Sequence, residues 1–180
     1  MTIKLSKIAK FGAFSALVFL MSAHTILGAD FRTPNDKQDK NIIVAETEVI
    51  RNLYTVGGQV TVNANAIKDV VVAGGTVNVN GNVGDDLIAA SGNLNVRGNI
   101  GGSARLAGGN ISVANKSIEE DLLVAGGTIY IDKGTTIHGD LIVGGGSVVV
   151  DGTVLGSVKA SGGSLTLNGS VGGKRRKVTI

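Results

Sequence analysis

The sequence predicts an all-β chain wound as a single-stranded parallel β-helix of about seven turns, each of 17–19 residues. Three observations carry that expectation. First, a glycine-marked unit recurs. Aligned on its small-residue pair, the second member falls at Gly58, Gly75, Gly92, Gly109, Gly127, Gly146 and Gly163, at intervals of 17, 17, 17, 18, 19 and 17 residues. So constant a period is the signature of a stacked repeat. Second, aliphatic residues alternate with others inside each copy, the period of a strand with one buried face. Third, the composition holds 28 Gly, one Pro and 3% aromatic residues, so any interior must be filled by aliphatics and not by rings.

Numbering each copy so that the small pair takes the sixth and seventh places lays out five inward columns. The second place is Leu53, Val70, Leu87, Ala104, Leu122, Leu141 and Val158; the ninth is Val60, Val77, Leu94, Ile111, Ile129, Val148 and Leu165. The fourth runs from Thr55 to Ala160, the eleventh from Val62 to Leu167, and a last apolar place from Ala66 to Val171. So few inward side chains cannot hold a lone turn together against the entropy of ordering it. Stacking lets each turn share its core and its backbone hydrogen bonds with two neighbours. With strands ~4.8 Å apart, seven turns make a rod roughly 33 Å long. The glycine corners are expected to supply tight bends through positive φ, separating three short strands per copy. The extra residues of the fourth and fifth copies, around Lys116-Ser117 and Lys133-Gly134-Thr135, fall at one corner, where an insertion can loop out.

Ahead of the repeats, residues 1–29 have the form of an export signal. Lys4, Lys7 and Lys10 precede an apolar run from Phe11 to Met21, and Gly28-Ala29 offers small residues before Asp30. A cut after Ala23 is the alternative, and an uncleaved anchor a further one, although the apolar run is shorter than the ~20 residues a spanning helix needs. The signal points to the periplasm or cell envelope, with the extracellular space also open. Residues 30–41 are polar, hold the only Pro and show no periodicity, as expected of a linker. The β-helix domain is expected over 42–180: a partial first turn at 42–51, full repeats at 52–173 and a basic end at 174–180.

Charge and cysteine content narrow the function. The formal charge of +3 comes from the three signal lysines; without them 14 basic residues face 14 acidic ones, so it carries no argument for nucleic acid. There is no Cys, which excludes disulfides, thiolate chemistry, Cys-based zinc sites and lipoprotein processing.

The units Asp69-Val70-Val71-Val72-Ala73-Gly74-Gly75, Asp121-Leu122-Leu123-Val124-Ala125-Gly126-Gly127 and Asp140-Leu141-Ile142-Val143-Gly144-Gly145-Gly146, each followed by an alternating Val/Ile strand, resemble a bactofilin-type polymer-forming β-helix. The resemblance covers about Asn52 to Gly173. It implies a right-handed triangular coil that assembles end to end into filaments without a nucleotide, a cytoskeletal role, here in a chain with an export signal.

No catalytic, cofactor or metal site is expected, and the chain is expected not to be an enzyme. His138 is the single His outside the signal, no Ser stands in an elbow motif, and no Gly-Lys-Ser/Thr follows the Gly-Gly pairs. A hexapeptide-repeat acyltransferase would need a loop His and a six-residue rhythm. Asp69, Asp86, Asp121 and Asp140 share the first place, with Ser103 and Ser157 filling two others; joined by Asp85, Glu119 and Glu120 they offer oxygen ligands for calcium. The calcium-binding nonapeptide pattern is missing, and acceptance of backbone N–H bonds at a corner is the expected role. Asn78, Asn80, Asn95, Asn110, Asn115 and Asn168 are expected outside, bonding to the next rung, although a carbohydrate-facing surface is the other use of such rows.

The third place stands out. Tyr54, Val71, Ile88, Leu123 and Ile142 should point outward in line, interrupted by Arg105 and ended by Lys159, a candidate stripe for lateral self-association. Part of it could instead lie under the N-terminal arm. Lys174, Arg175, Arg176 and Lys177 form a candidate basic end cap, or a contact to an anionic surface. The expected function is a non-enzymatic structural protein of the cell envelope that associates with itself into an oligomer or filament, against an envelope surface, membrane or cell-wall polymer. The alternative is an exported, adhesin-like solenoid that recognises a carbohydrate or other extracellular ligand.

Overall fold

A computed structural model describes residues 29–34 and 40–178. The export-signal segment before Ala29, the middle of the expected linker and Thr179-Ile180 lie outside the described residues. Alternating aliphatics produce strands throughout: β1 (Ala29–Arg32), β2 (Asn41–Val44), β3 (Asn52–Val62), β4 (Val70–Val79), β5 (Leu87–Val96), β6 (Ala104–Val113), β7 (Ser117–Ile118), β8 (Leu122–Ile131), β9 (Thr136–Ile137), β10 (Leu141–Val150), β11 (Thr153–Val154), β12 (Val158–Leu167) and β13 (Arg175–Val178). Every pairing is parallel, in the order β1-β3-β4-β5-β6-β8-β10-β12-β13, with β2 also on β3. The register moves by one repeat at each step: Val70 faces Leu87, Leu87 faces Ala104 and Ala104 faces Leu122. Equivalent places therefore stack, and the chain is a parallel β-solenoid. The short β7, β9 and β11 build the remaining row, which single bridges from Ile50 through Ala66, Val83 and Ile100 to Ile118, and from Val154 to Val171, extend in both directions.

The expected columns close into one continuous interior. Leu53, Leu87, Leu94, Ile100, Ile118, Leu122, Ile129, Ile137 and Leu141 are fully buried, and the cluster runs without a break from Ile42 to Ala160, with Leu165, Leu167 and Val171 packed against its far end.

Three features depart from the expectation. Each glycine pair bends a strand without ending it. The first two strands of a copy are one ten-residue strand, because places five and six stay paired across the bend, as Ala73 with Ala90 and Gly74 with Ser91. Nor do the corners need positive φ, since no described glycine adopts it. Glycine is required by the rung beneath: a Cβ on Gly98 would stand 1.8 Å from the Gly81 carbonyl oxygen, and one on Gly169 would stand 1.7 Å from that of Gly152. This corner column holds a buried Ala64 beneath Gly81, and a buried Asn115 and a buried Thr135 in the two copies with extra residues. Thr135 Oγ1 there donates 2.9 Å to the Asn115 carbonyl, and Asn115 Nδ2 donates 3.0 Å to the Ser117 carbonyl. Asn115 is thus an inward residue and not one of the outward row.

The third departure concerns the expected linker at 30–41. Its first residues belong to β1, which continues the sheet on β3 with Asp30 opposite Leu53 and Phe31 opposite Tyr54, and Asn41 already opens β2. Asp30 and Arg32 stand in register with the inward Leu53 and Thr55. Asp30 and Glu48 both accept from the Arg32 guanidinium, at 2.6 and 2.5 Å, and Glu48 Oε1 accepts 2.7 Å from the Ala45 amide.

A Gly98→Ala variant should lower the stability of the coil by about 1–3 kcal/mol, as overpacked sites do. A Cβ at Gly144 meets nothing within 4 Å, so Gly144→Ala should leave stability unchanged or slightly raised. Urea midpoints followed by circular dichroism check both, and equal midpoints would contradict the role given to the stacked carbonyls.

Candidate functional site

The outward third places form one straight column. Tyr54 stands against Val71, Val71 against Ile88, Ile88 against Arg105, Arg105 against Leu123, Leu123 against Ile142, and Ile142 against Lys159. Ile88, Leu123 and Ile142 are 43, 46 and 44% exposed, whereas Tyr54 and Val71 are half-buried. The structure therefore brings together all five residues of the expected stripe. It adds one that the sequence did not reveal, because Phe31 sits in a polar stretch without periodicity. Phe31 stacks on Tyr54 with centroids 4.9 Å apart and is itself 59% exposed, so the N-terminal arm extends the stripe at its end. The outward fifth place beside it holds Val56, then Ala73, Ala90, Ala107, Ala125, Gly144 and Ser161, so beyond Val56 the face is flat.

The one charge within the stripe is neutralised locally. Arg105 Nη1 donates 2.9 Å to Asp86 Oδ2, while Asp86 Oδ1 accepts 2.9 Å from the Ser103 amide. The Ser103 N–H first, and then Arg105, hold the Asp86 carboxyl below its ordinary value of 3.8.

The first-place carboxylates act as expected of corner acceptors. Asp69 Oδ1 takes the Asp86 amide at 3.2 Å, Asp121 Oδ1 the Asp140 amide at 2.7 Å, and Asp140 Oδ1 the Ser157 amide at 2.7 Å. Asn65, Asn82 and Asn99 build a second corner ladder that the sequence reading missed, Asn82 N donating 2.7 Å to Asn65 and Asn99 N donating 2.9 Å to Asn82. On the next face, Asn95 Nδ2 donates 2.9 Å to Asn78, Asn80 Nδ2 2.8 Å to Asn63, Asn110 Nδ2 2.9 Å to Asn93, and Asn168 Nδ2 2.8 Å to Asp151. Among the described residues no three His, Asp or Glu side chains converge on a point where a metal could sit.

His138 is exposed, with Nδ1 3.4 Å from Ser117 Oγ, 3.7 Å from Glu119 Oε2 and 3.2 Å from the Ile118 carbonyl. A relay needs the hydroxyl on one ring nitrogen and the carboxylate on the other. Here both crowd the same nitrogen, so the trio has no relay geometry.

At the basic end, β13 places Arg175 in line with inward Val158, Arg176 with outward Lys159, and Lys177 with Ala160. Arg175 Nη2 reaches back 3.4 Å toward the Gly169 carbonyl, which lays its stem over the last full turn. Lys174 donates its amide 3.3 Å to Ser157 Oγ, continuing the corner ladder. No family model matches the chain, and no curated protein or solved structure matches it.

The depressed pKa of Asp86 fixes a sign. A carboxylate that is more acidic folded than unfolded contributes stability above about pH 3.8, and that contribution is lost as pH falls through the folded value. Replacing Asp86 with Asn should therefore flatten the acid limb of the stability–pH profile below about pH 4. Urea midpoints between pH 2.5 and 6 check this, and an unchanged acid limb would show the ladder bond and the Arg105 contact to be silent.

Proposed function

We propose that this chain is a non-enzymatic structural rod of the cell envelope that associates laterally with copies of itself. The observation that carries the reading is the aligned column of Tyr54, Val71, Ile88, Leu123 and Ile142 on a flat face. Single exposed aliphatics are ordinary on a soluble surface, but a line of them on one face, broken once by the ion-paired Arg105, is a packing surface. Envelope placement follows from the form of residues 1–29, and the bactofilin-like repeat units favour polymer formation over ligand turnover. The basic end and the ion-paired Asp30–Arg32–Glu48 end make both termini of the coil polar, which discourages uncontrolled strand addition and leaves the side face as the apolar contact.

A second reading is an adhesin-like solenoid that uses the Asn rows as a carbohydrate platform. The Asn93, Asn95 and Asn110 side chains, part of a repeating polar surface, favour it. Sedimentation and negative-stain microscopy of the chain separate the two readings. Ordered bundles or filaments support the first; monodisperse short rods that bind a glycan array support the second. Leu123→Asp or Ile142→Asp should abolish side-by-side association while leaving the circular dichroism spectrum and urea midpoint within about 0.5 kcal/mol of the parent, as expected of an exposed site. Undiminished bundling in both variants would remove the stripe from the interface.

A further inference from the structure

We infer that the striped face packs against the same face of a second copy of this chain, with the two rods antiparallel about a twofold axis at Arg105. This rests on the lateral association proposed above and adds the partner's orientation. The column has nine rungs from Phe31 to Arg176, and Arg105 is the fifth, so four rungs lie on either side of it. The chemistry of the two halves is complementary when one is reversed. One rung from the centre, Ile88 meets Leu123 of the other copy; two rungs out, Val71 meets Ile142. Beyond those, the half-exposed ring of Tyr54 meets Lys159, and the exposed ring of Phe31 meets Arg176. The two rings are already stacked on each other, and the two cations are neighbours in register.

Neither Lys159 nor Arg176 has an ion-pair partner among the described residues, and both are exposed. An aromatic face is a fitting partner for such a cation. A parallel, in-register arrangement would instead set Lys159 and Arg176 against their own copies. At the centre Arg105 meets its twin, but each guanidinium brings Asp86 2.9 Å away, so the four charges cancel and can exchange partners across the axis. The alanines of the fifth place leave room for the second sheet to approach to the ~10 Å of face-to-face packing.

Eight intervals of ~4.8 Å and a strip about four residues wide give roughly 500 Å² per copy, or about 1,000 Å² in all. That is the lower bound for a specific interface and implies a concentration-dependent dimer instead of a permanent one.

The absence of Cys makes the test direct, because any introduced thiol is unique. Full-length Val71→Cys and Ile142→Cys variants, one carrying a mass tag, are treated with a short bismaleimide alone and mixed. The antiparallel pairing predicts cross-linking in the mixture and little in either variant alone, since like positions lie four rungs, about 19 Å, apart. Cross-linking of each variant to itself, and not in the mixture, would keep self-association but overturn the orientation. A chain that sediments as a monomer at every concentration and cross-links in neither arrangement would overturn the lateral association too, leaving the face to a different partner. A Lys159→Ala/Arg176→Ala double variant should weaken dimerisation by about tenfold or more, since four cation–ring contacts are lost. An unchanged dimer constant would also overturn the pairing.

Discussion

Everything in this molecule depends on the carbonyl oxygen of one rung lying directly under the Cα of the next. Parallel stacking at the strand spacing leaves no slack, so each place in the repeat meets its own equivalents above and below. At the corner occupied by Gly81, Gly98, Gly152 and Gly169 the approach is closer than any Cβ allows. The 17-residue period is the outward sign of that fit. Where the column carries Asn115 and Thr135 the chain lengthens by one or two residues, whereas Ala64, the member beneath Gly81, stands in a copy of 17. The glycines therefore set the period through close approach and not through backbone handedness.

The interior is filled on the same lattice. Leu87 at the second place is matched with Ala89 at the fourth, and one rung on the order reverses to Ala104 with Leu106. At these two rungs a large residue is matched with a small one, whereas Leu122 with Val124 and Leu141 with Val143 repeat one order, and aliphatics alone fill the narrow core. Stacking carries a cost on the polar side, because identical charges recur close together. The first-place acids come only in pairs, Asp69 with Asp86 and Asp121 with Asp140, and each pair is followed by a neutral Ser. Lys68 meets Asp85 at 2.8 Å, and Arg105 meets Asp86 at 2.9 Å, so the repulsion is offset at that pair.

Most of this architecture was legible because a repeat states each constraint seven times. The inward columns, the corner acceptors and the stripe all follow from place number once the glycine pairs are aligned. Part of what escaped recurs at the repeat period, as the Asn65, Asn82 and Asn99 ladder does, and part was written only once. Phe31 sits in a segment whose polar composition resembles a linker, and nothing local marks it as an outward strand residue; its partner Tyr54 lies 23 positions along the chain. Asn115 shares its residue type with the outward asparagines, and only the extra Lys116 signals that its corner differs. The role of the glycines was misjudged because sequence can show that a side chain is forbidden without showing whether torsion or a neighbouring carbonyl forbids it.

The fold does not explain the stripe, and that is why the stripe bears on function. Third and tenth places are equivalent to the backbone: each is an outward position in the middle of a strand, flanked by two inward residues and paired in register above and below. Coil stability alone would treat them alike, yet the tenth place holds Thr61, Asn78, Asn95, Ser112 and Thr166, with Tyr130 and Val149 as its two apolar members. The third place holds aliphatics and a ring pair, with Arg105 folded onto Asp86. Two columns with the same structural demands, one mostly polar and one mostly apolar, point to different surroundings outside the chain. The tenth-place column meets water, and a partner as flat and apolar as the striped face itself is the simplest surface that satisfies the third.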